Sequence, residues 1–537
     1  MRVAIIASPY PLQEAPAPPL GVTYVAAAFE AAGAEVKILD YLVSKYSPEK
    51  LEKELDSFQP DFVGGNSVTL NFPGAARIIE DVKRLRPSIV TAMGGPHVSF
   101  DAENTLRTYP GIDLIVLGEG EATAMELTPL IRDRDSWHRI PGLAFREGDR
   151  IVKTAPREFI QDPDSIPLPA RHLLPVSRYL ALGFSVSIIT SRGCPHPCIF
   201  CQGRRMIGSK VRYRKPEKVV DEIEKILSYG FPTINFADDL FLAKQEHAQG
   251  VCREILKRGL KFSWSAFSRV NTVELETFRL MREAGCDAVS FGMESGNQEM
   301  LKRLRKGITL DQGRRAVAIC KEVGILPHAS FMAGLPGESF DTLKDSQEFA
   351  DSLSIVYGYH ILAPFPGTTI REEVHNYDLE ILTNDWSLYD ANRSVVRTSH
   401  LSAEQIERFV YDFEKTWLDA WQEMVDRYHN GTANPQDGFR VWGHYRMELT
   451  YRLFSDDILE EHGRFPLNGI PGQAAADEKA LFDKVAQLTG FEQGLVTATL
   501  KDFIEKGFIK ARKEDGHVRW FWTHNRWKDS GPFSLAQ

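Results

Sequence analysis

Short apolar runs alternate with stretches of helical periodicity through the first quarter of the chain. The runs fall at Val3–Ala7, Val36–Leu39, Phe62–Gly64, Ile89–Met93 and Leu114–Leu117, with helical patterns between them such as Thr23–Ala32 and Ala75–Arg86. Wholly apolar strands separated by helices predict a parallel sheet covered on both faces. Five such units over residues 1–135 predict a doubly wound α/β domain, which takes ligands at the carboxyl ends of its strands. Those ends are glycine-rich: Gly64-Gly65-Asn66-Ser67, Gly94-Gly95-Pro96-His97 and Gly118-Glu119-Gly120-Glu121. Such glycines either let backbone approach a ligand or simply make tight turns.

Residues 136–183 join two halves. Leu143–Val152 reads as a hairpin turning at Glu147-Gly148-Asp149, and Asp162–Pro169 as a proline-stiffened linker. From 184 to 370 the alternation resumes with a longer period. Candidate strands are Ser185–Thr190, Thr233–Ala237, Phe262–Phe267, Ala288–Met293, His328–Met332 and Val356–Leu362. Six βα units predict an open, partial (β/α)6 barrel with its chemistry at the strand carboxyl ends. Residues 371–537 read as mainly helical. Ala403–His429 predicts a long amphipathic helix whose Ile406, Phe409, Val410, Phe413 and Trp417 form a stripe expected to be core. Helix, helix and hairpin at Glu478–Gln487, Gly490–Gly507 and Ile509–Trp522 resemble a winged-helix module, where Trp520, Trp522 and Trp527 either border a ligand or are core.

Composition narrows the classes. Over 537 residues, 43% hydrophobic and 26% charged positions describe a globular chain of three or four domains. The net charge of −9 argues against a surface that coats nucleic acid. Between Leu500 and Gln537, eight Lys or Arg against five Asp or Glu make too weak a basic excess for DNA binding. No apolar run approaches the roughly 20 residues that span a bilayer, so no transmembrane segment is expected. Met1–Ile6 reads straight into a strand, and a cytoplasmic location follows.

Three of the six cysteines, Cys194, Cys198 and Cys201, cluster as CxxxCxxC in a loop after the apolar run Phe184–Thr190. Thiolates so close together read as soft-metal ligands. A closed zinc site or a fully ligated four-iron cluster takes four protein ligands, whereas three cysteines leave one iron of a cubane open. Two alternatives remain: His196 completes a Cys3His zinc site, or the thiols are ordinary buried groups. Cys252, Cys286 and Cys320 stand singly on stretches that read as helical, where burial is the expected role.

The run Cys194-Pro195-His196-Pro197-Cys198-Ile199-Phe200-Cys201 resembles the signature of the radical S-adenosylmethionine (AdoMet) superfamily. There the open iron of a [4Fe-4S] cluster chelates AdoMet, and one electron splits its sulfonium to a 5′-deoxyadenosyl radical. The glycine-rich strand ends of residues 1–135, with Ser8-Pro9-Tyr10 and Pro18-Pro19-Leu20-Gly21, resemble the flavodoxin- or Rossmann-like cobalamin domain that precedes the radical domain in one large class. This resemblance implies cobalamin contacts from Pro9, Tyr10, Leu20, Gly21, Ser67, Val68, Thr69, Gly94, Gly95, Pro96, His97, Gly118, Glu119, Gly120 and Glu121. One departure stands out: the loop Ser8–Leu20 contains no histidine to ligate cobalt. Retained cobalamin would then have its own base displaced and no histidine on its lower face, with Thr69, Leu70 and Asn71 facing the cobalt. The alternative is a domain that has kept the fold and lost the cofactor.

The same resemblance implies an AdoMet site at successive strand ends. Phe200 would offer its backbone to adenine, Asp238 and Asp239 would accept from an ammonium or ribose hydroxyls, and Arg269, reached through Ser265, would hold the methionyl carboxylate. Glu294 and Ser295 end the fourth strand, the Glu suiting the ribose diol, while Asn297 could cap the next helix. Ala237-Asp238-Asp239 replaces the usual Gly-Gly after the second strand, a variant resembling the cobalamin-associated and methylthiolating branches. The function implied is a cobalamin-dependent radical AdoMet methyltransferase acting on an unactivated carbon, through the 5′-deoxyadenosyl radical and methylcobalamin. Its substrate would be a small molecule, lipid or peptide, and its electrons would come from a flavodoxin- or ferredoxin-type donor. Rival readings are cobalamin-linked cyclisation, rearrangement or carbon–carbon coupling without net methylation, or a cobalamin-free nucleic-acid modifier. A corrinoid or iron sensor with a winged-helix output is the non-enzymatic alternative.

Overall fold

The computed structural model describes residues 1–10, 16–466, 473–514 and 516–523, the side chains of 473–477 excepted. Strands β1 (Arg2–Ala7), β2 (Glu35–Asp40), β3 (Phe62–Asn66), β4 (Val90–Gly94) and β5 (Leu114–Val116) pair in parallel in the order 2-1-3-4-5. Val3–Ala7 are all buried, as helices on both faces require. Alternate residues serve different layers. Ala4, Ile6 and Val63 pack with Leu51, Ile78 and Ile79 in a core whose buried residues all come from this half, with Trp386 packed against it from beyond the barrel. Val3, Ile5 and Ala7 belong to a second core that continues into the rest of the molecule. The helix Leu20–Ala31 lies in that shared layer, which is why Val22, Thr23, Tyr24 and Ala26–Phe29 are buried with little regard for face.

The expected hairpin forms as β6 (Leu143–Glu147) and β7 (Arg150–Lys153), but it is no free connector. β6 pairs antiparallel with β5 and carries the first sheet to seven strands. The proline-rich stretch is pinned as well: Asp164 accepts from the Lys215 amide at 2.7 Å, and Arg171 pairs with buried Glu222 at 2.7 Å.

The second half begins with β8 (Val186–Ile188), then a two-residue ribbon of β9 (Ser191–Arg192) and β10 (Arg212–Tyr213). It continues through β11 (Thr233–Phe236), β12 (Ser263–Ser268), β13 (Cys286–Glu294), β14 (Leu326–Ala333) and β15 (Val356–Ile361). The six strands outside the ribbon run parallel in the order 8-11-12-13-14-15, the expected partial barrel. Side chains alternate along them. Val186, Ile234, Ala266, Val289 and Phe291 pack outward and are buried, whereas Ser187, Asn235, Ser265, Ser290 and Ser330 face the lumen and leave it roomy. Cys286 begins β13 rather than lying on a helix; it, Cys252 and Cys320 are buried.

Beyond the short pair β16 (Glu380–Ile381) and β17 (Val396–Arg397), helix Ala403–His429 starts in a Ser402–Gln405 capping box. Its stripe is core only at the start. Ile406 and Val410 are buried, and Phe409 and Phe413 lean on Tyr359, but Trp417 is 58% exposed. The helix outruns the barrel edge it packs on. Helices Gln473–Thr489 and Gln493–Glu505 lie with an antiparallel sheet of β18 (Arg464–Pro466), β20 (His517–Trp522) and β19 (Ile509–Glu514), the helix–helix–hairpin order expected of a winged helix. Trp520 and Trp522 are core, Trp522 against Phe454 and Phe503; Trp527 lies outside the described residues. No helix among the described residues is long and apolar enough to cross a membrane.

Candidate cofactor site

The β9–β10 ribbon closes a loop that carries all three clustered cysteines. Gly193 opens it at φ +111, where an added Cβ would lie 2.4 Å from the Lys210 carbonyl oxygen. The Ile199 amide donates to Leu304 at 3.1 Å, the Ile370 amide donates to Ile199 at 3.0 Å, and the Gln202 amide group donates to Pro366. The loop is thereby fixed between segments that follow β13 and β15. Burial pushes the Cys194 thiol up and the Cys201 thiol to about 11, with the neighbouring thiols adding smaller increments. Unligated, these groups stay protonated, and a metal would displace the protons. Among the described residues no three His, Cys, Asp or Glu side chains converge on a single-ion site. Burial, then Arg269 and Lys306, lower the His196 pKa to about 4.

Strand ends β11 to β13 converge on this loop, though not every carboxylate expected there faces it. Asp239 does, its carboxyl raised to about 6 by desolvation and then by Asp238. Asp238 does not: it is 2% exposed and accepts from the Thr190 amide and hydroxyl, both at 2.6 Å, and from the Ser191 hydroxyl at 2.8 Å. Both lie in the turn beyond β11, and the bonds to Thr190 and Ser191 hold Asp238 back toward β8 and β9. Arg269 donates to the Cys198 sulfur at 3.5 Å and to the Lys306 carbonyl. Ser265 faces the lumen and donates to Asn235 Oδ1 at 3.0 Å. Glu294, at φ +66, is buried and paired at 2.6 Å with buried Lys306, whose ammonium lies 5.6 Å from the Phe200 ring centre. Ser295 turns away, its hydroxyl 3.1 Å from that of Ser346, and Asn297 caps Gln298–Arg303 by accepting from the Met300 amide.

At the other half, the strand order reverses between β1 and β3, the crevice where such sheets bind ligands. Ser8 follows β1 and Ser67 follows β3; both hydroxyls are buried without a protein partner. Gly95, at φ +104, packs its backbone so closely on Ser67 that a Cβ would sit 2.4 Å from the Ser67 carbonyl oxygen. Gly94, Pro96 and Val68 are half-buried beside it, and Pro9, Tyr10, Leu20 and Gly21 form a more exposed lip. Thr69 and Asn71 do not face outward. Thr69 meets His97 Nδ1 at 3.3 Å, and Asn71 accepts from the Val68 amide at 3.0 Å, leaving only Leu70 half-exposed. His97 is fully buried, stacked on Phe72 at 3.9 Å, with its pKa lowered to about 3 by desolvation and then Arg371. Its side chain is thus a core ring rather than a ligand contact. Glu119 and Glu121 are also committed: Glu119 accepts from Arg192 at 3.1 Å and Arg212 at 2.8 Å, and Glu121 accepts from Arg192. Only the backbone of Gly118 and Gly120 stays available in that loop.

A radical SAM superfamily model matches residues 188–350, and a B12-binding domain model matches residues 14–128. A Pyrococcus horikoshii protein named as an uncharacterized methyltransferase is 35% identical over 396 residues, covering 73% of this chain and 86% of its own. The chain belongs to the cobalamin-binding radical AdoMet family. A Rubrivivax gelatinosus relative in this family, named as an anaerobic magnesium-protoporphyrin IX monomethyl ester cyclase, is 30% identical and covers 75% of this chain and 74% of its own. The solved structure of the cobalamin-dependent AdoMet radical enzyme OxsB, with aqua-cobalamin and AdoMet bound, covers 94% of this chain and 84% of its own, with a TM-score of 0.67 at 18% identity. That likeness shows the fold.

As a radical AdoMet enzyme the chain uses a [4Fe-4S] cluster, AdoMet and cobalamin, and takes its electron from an external donor. The residues fit these groups. Three thiols without a fourth protein ligand suit a cluster with one open iron. The unpartnered Ser8 and Ser67 hydroxyls, beside a glycine turn too tight for a Cβ, suit the polar tail of a corrinoid. Lys306, Arg192 and Arg212 were missed in the sequence. The arginines lie on two-residue strands and Lys306 in irregular chain after a helix, where no periodicity marks them.

Proposed function

We propose that the enzyme transfers a methyl group to an unactivated carbon of an organic substrate held in the barrel lumen. The observation that carries this is the direct tie between the two halves: Arg192, two residues before Cys194, pairs with the Glu119 and Glu121 loop of the B12-binding half. A mouth shared by both halves suits chemistry that needs both cofactors on one carbon. When bound, the cluster and AdoMet supply a radical that removes hydrogen from carbon, and cobalamin supplies methyl.

The chain's own side chains hold and orient. Cys194, Cys198 and Cys201 would ligate the cluster, with Arg269 directed at the Cys198 sulfur. Lys306 and Glu294 bring a buried ion pair to the end of β13, beside Phe200, where AdoMet's carboxylate and ribose would find opposite charges. In the lumen, Phe267, near the carboxyl end of β12, is 47% exposed, with Ser290 of β13 beside it in register. An exposed aromatic ring on an otherwise covered sheet suits a substrate with an apolar body. The proposed electron donor is of the flavodoxin or ferredoxin type.

The test is anaerobic reconstitution with iron, sulfide and cobalamin, followed by titanium(III) citrate and AdoMet. Formation of both S-adenosylhomocysteine and 5′-deoxyadenosine supports methyl transfer. Formation of 5′-deoxyadenosine alone overturns it in favour of a radical reaction without net methylation, the kind of chemistry named for the cyclase relative.

A further inference from the structure

We infer that the B12-binding half is locked onto the barrel mouth at two opposite edges, and that this two-point grip fixes the spacing between the corrinoid and the cluster. The reading rests on the proposed function only in requiring both cofactors.

The first point of the grip is ionic. Arg192 and Arg212 stand directly opposite each other in the β9–β10 ribbon, a like-charged pair that is unfavourable unless an anion lies between them. Glu119 is that anion, accepting from Arg192 at 3.1 Å with one oxygen and from Arg212 and the Ile160 amide, both at 2.8 Å, with the other. Glu121 takes the second nitrogen of Arg192, whose guanidinium also covers the Tyr24 ring at 5.2 Å. All four charged side chains are no more than 8% exposed. A buried set of this kind does not slide, because parting any pair leaves an uncompensated charge.

The second point is steric and lies past β15, the opposite edge strand of the barrel sheet. Gly367, at φ +79, meets the Phe100 ring so closely that a Cβ would lie 2.2 Å from a ring carbon. The cluster loop holds the same turn from its other side, through Gln202 to Pro366 and Arg205 to Gly367 at 3.2 Å. These two contacts, at the two edges of an open barrel, add to the shared core and fix the B12-binding half where the two cofactors meet. Arg192, Glu119, Glu121, Phe100 and Gly367 are therefore positioning residues.

Two measurements on the full-length chain test this. Without cofactors, calorimetry should show Glu121→Gln unfolding at a clearly lower temperature than the wild type, since one buried arginine nitrogen loses its charged partner; an unshifted transition in the variant would overturn the grip. With cofactors and titanium(III) citrate, Gly367→Ala should keep the wild-type iron content and form 5′-deoxyadenosine within about twofold of wild type. Its S-adenosylhomocysteine, which needs AdoMet and the corrinoid in register, should fall about tenfold to a hundredfold, the cost of a misplacement near 1 Å. Phe100→Ala should restore part of it in the double variant, since the added methyl then has room and only the strain of the positive φ remains. Equal loss of both products, or no rescue, contradicts the inference. A wild type that forms no S-adenosylhomocysteine refutes the methyl-transfer reading and leaves the calorimetric test of the grip intact.

Discussion

Glu338 follows β14 fully buried, with Oε2 accepting from the Gly334 amide at 2.5 Å and the Leu335 amide at 3.1 Å. Burial raises its carboxyl from 4.5 to about 8. Between those values the folded chain holds a proton that the unfolded chain has lost, so this group makes stability fall as pH rises from 4.5 to about 8, and level off above. Glu338→Gln keeps an acceptor for both amides and cannot ionise. It should flatten that slope and stabilise the protein at pH 8 by about 1–3 kcal/mol, read from denaturant melts at pH 6 and pH 8. Lys306 makes a second prediction. Lys306→Met strands the buried Glu294 carboxylate and should cost about 3 kcal/mol or more, whereas the Lys306→Met/Glu294→Gln double variant should recover most of that loss in thermal melts. At this scale residue type was legible and direction was not. Cluster thiols must sit close in one loop, so their spacing gave them away, but the directions of Asp238, Ser295, Glu119 and Glu121 depend on neighbours far along the chain.

The elements themselves were the easiest part to read. Buried parallel strands are apolar throughout, so β1 to β5 and the outward face of the barrel strands announce themselves. Partners were harder. The β6–β7 hairpin looked like a connector because a turn signal does not say which sheet edge receives it. The Ala403–His429 stripe looked like continuous core because periodicity shows which face is apolar and not how far the opposing surface extends. The turn after β4 yields a prediction at this scale. Gly95→Ala would force a Cβ to within 2.3 Å of Asn66 Oδ1 at a positive φ, so it should cost about 1–3 kcal/mol in unfolding experiments and weaken cobalamin binding in equilibrium dialysis.

The whole molecule is organised around a shared core and a shared mouth. Helix Leu20–Ala31 packs on the first sheet and on the layer that leads to the barrel, and the ribbon before the cluster loop is paired through charge with the loop after β5. This integration was the least legible feature, since ion pairs bridging about 70–90 residues leave no periodic trace. The central claim is that one chain holds an open-iron cluster and a corrinoid without a protein nitrogen on cobalt. Electron paramagnetic resonance of the reconstituted, cobalamin-loaded and reduced protein, before and after AdoMet, tests it most directly. The account predicts a cob(II)alamin signal without nitrogen splitting alongside a reduced four-iron signal that shifts when AdoMet is added. A nitrogen-split cobalt signal, or an iron signal indifferent to AdoMet, would contradict it.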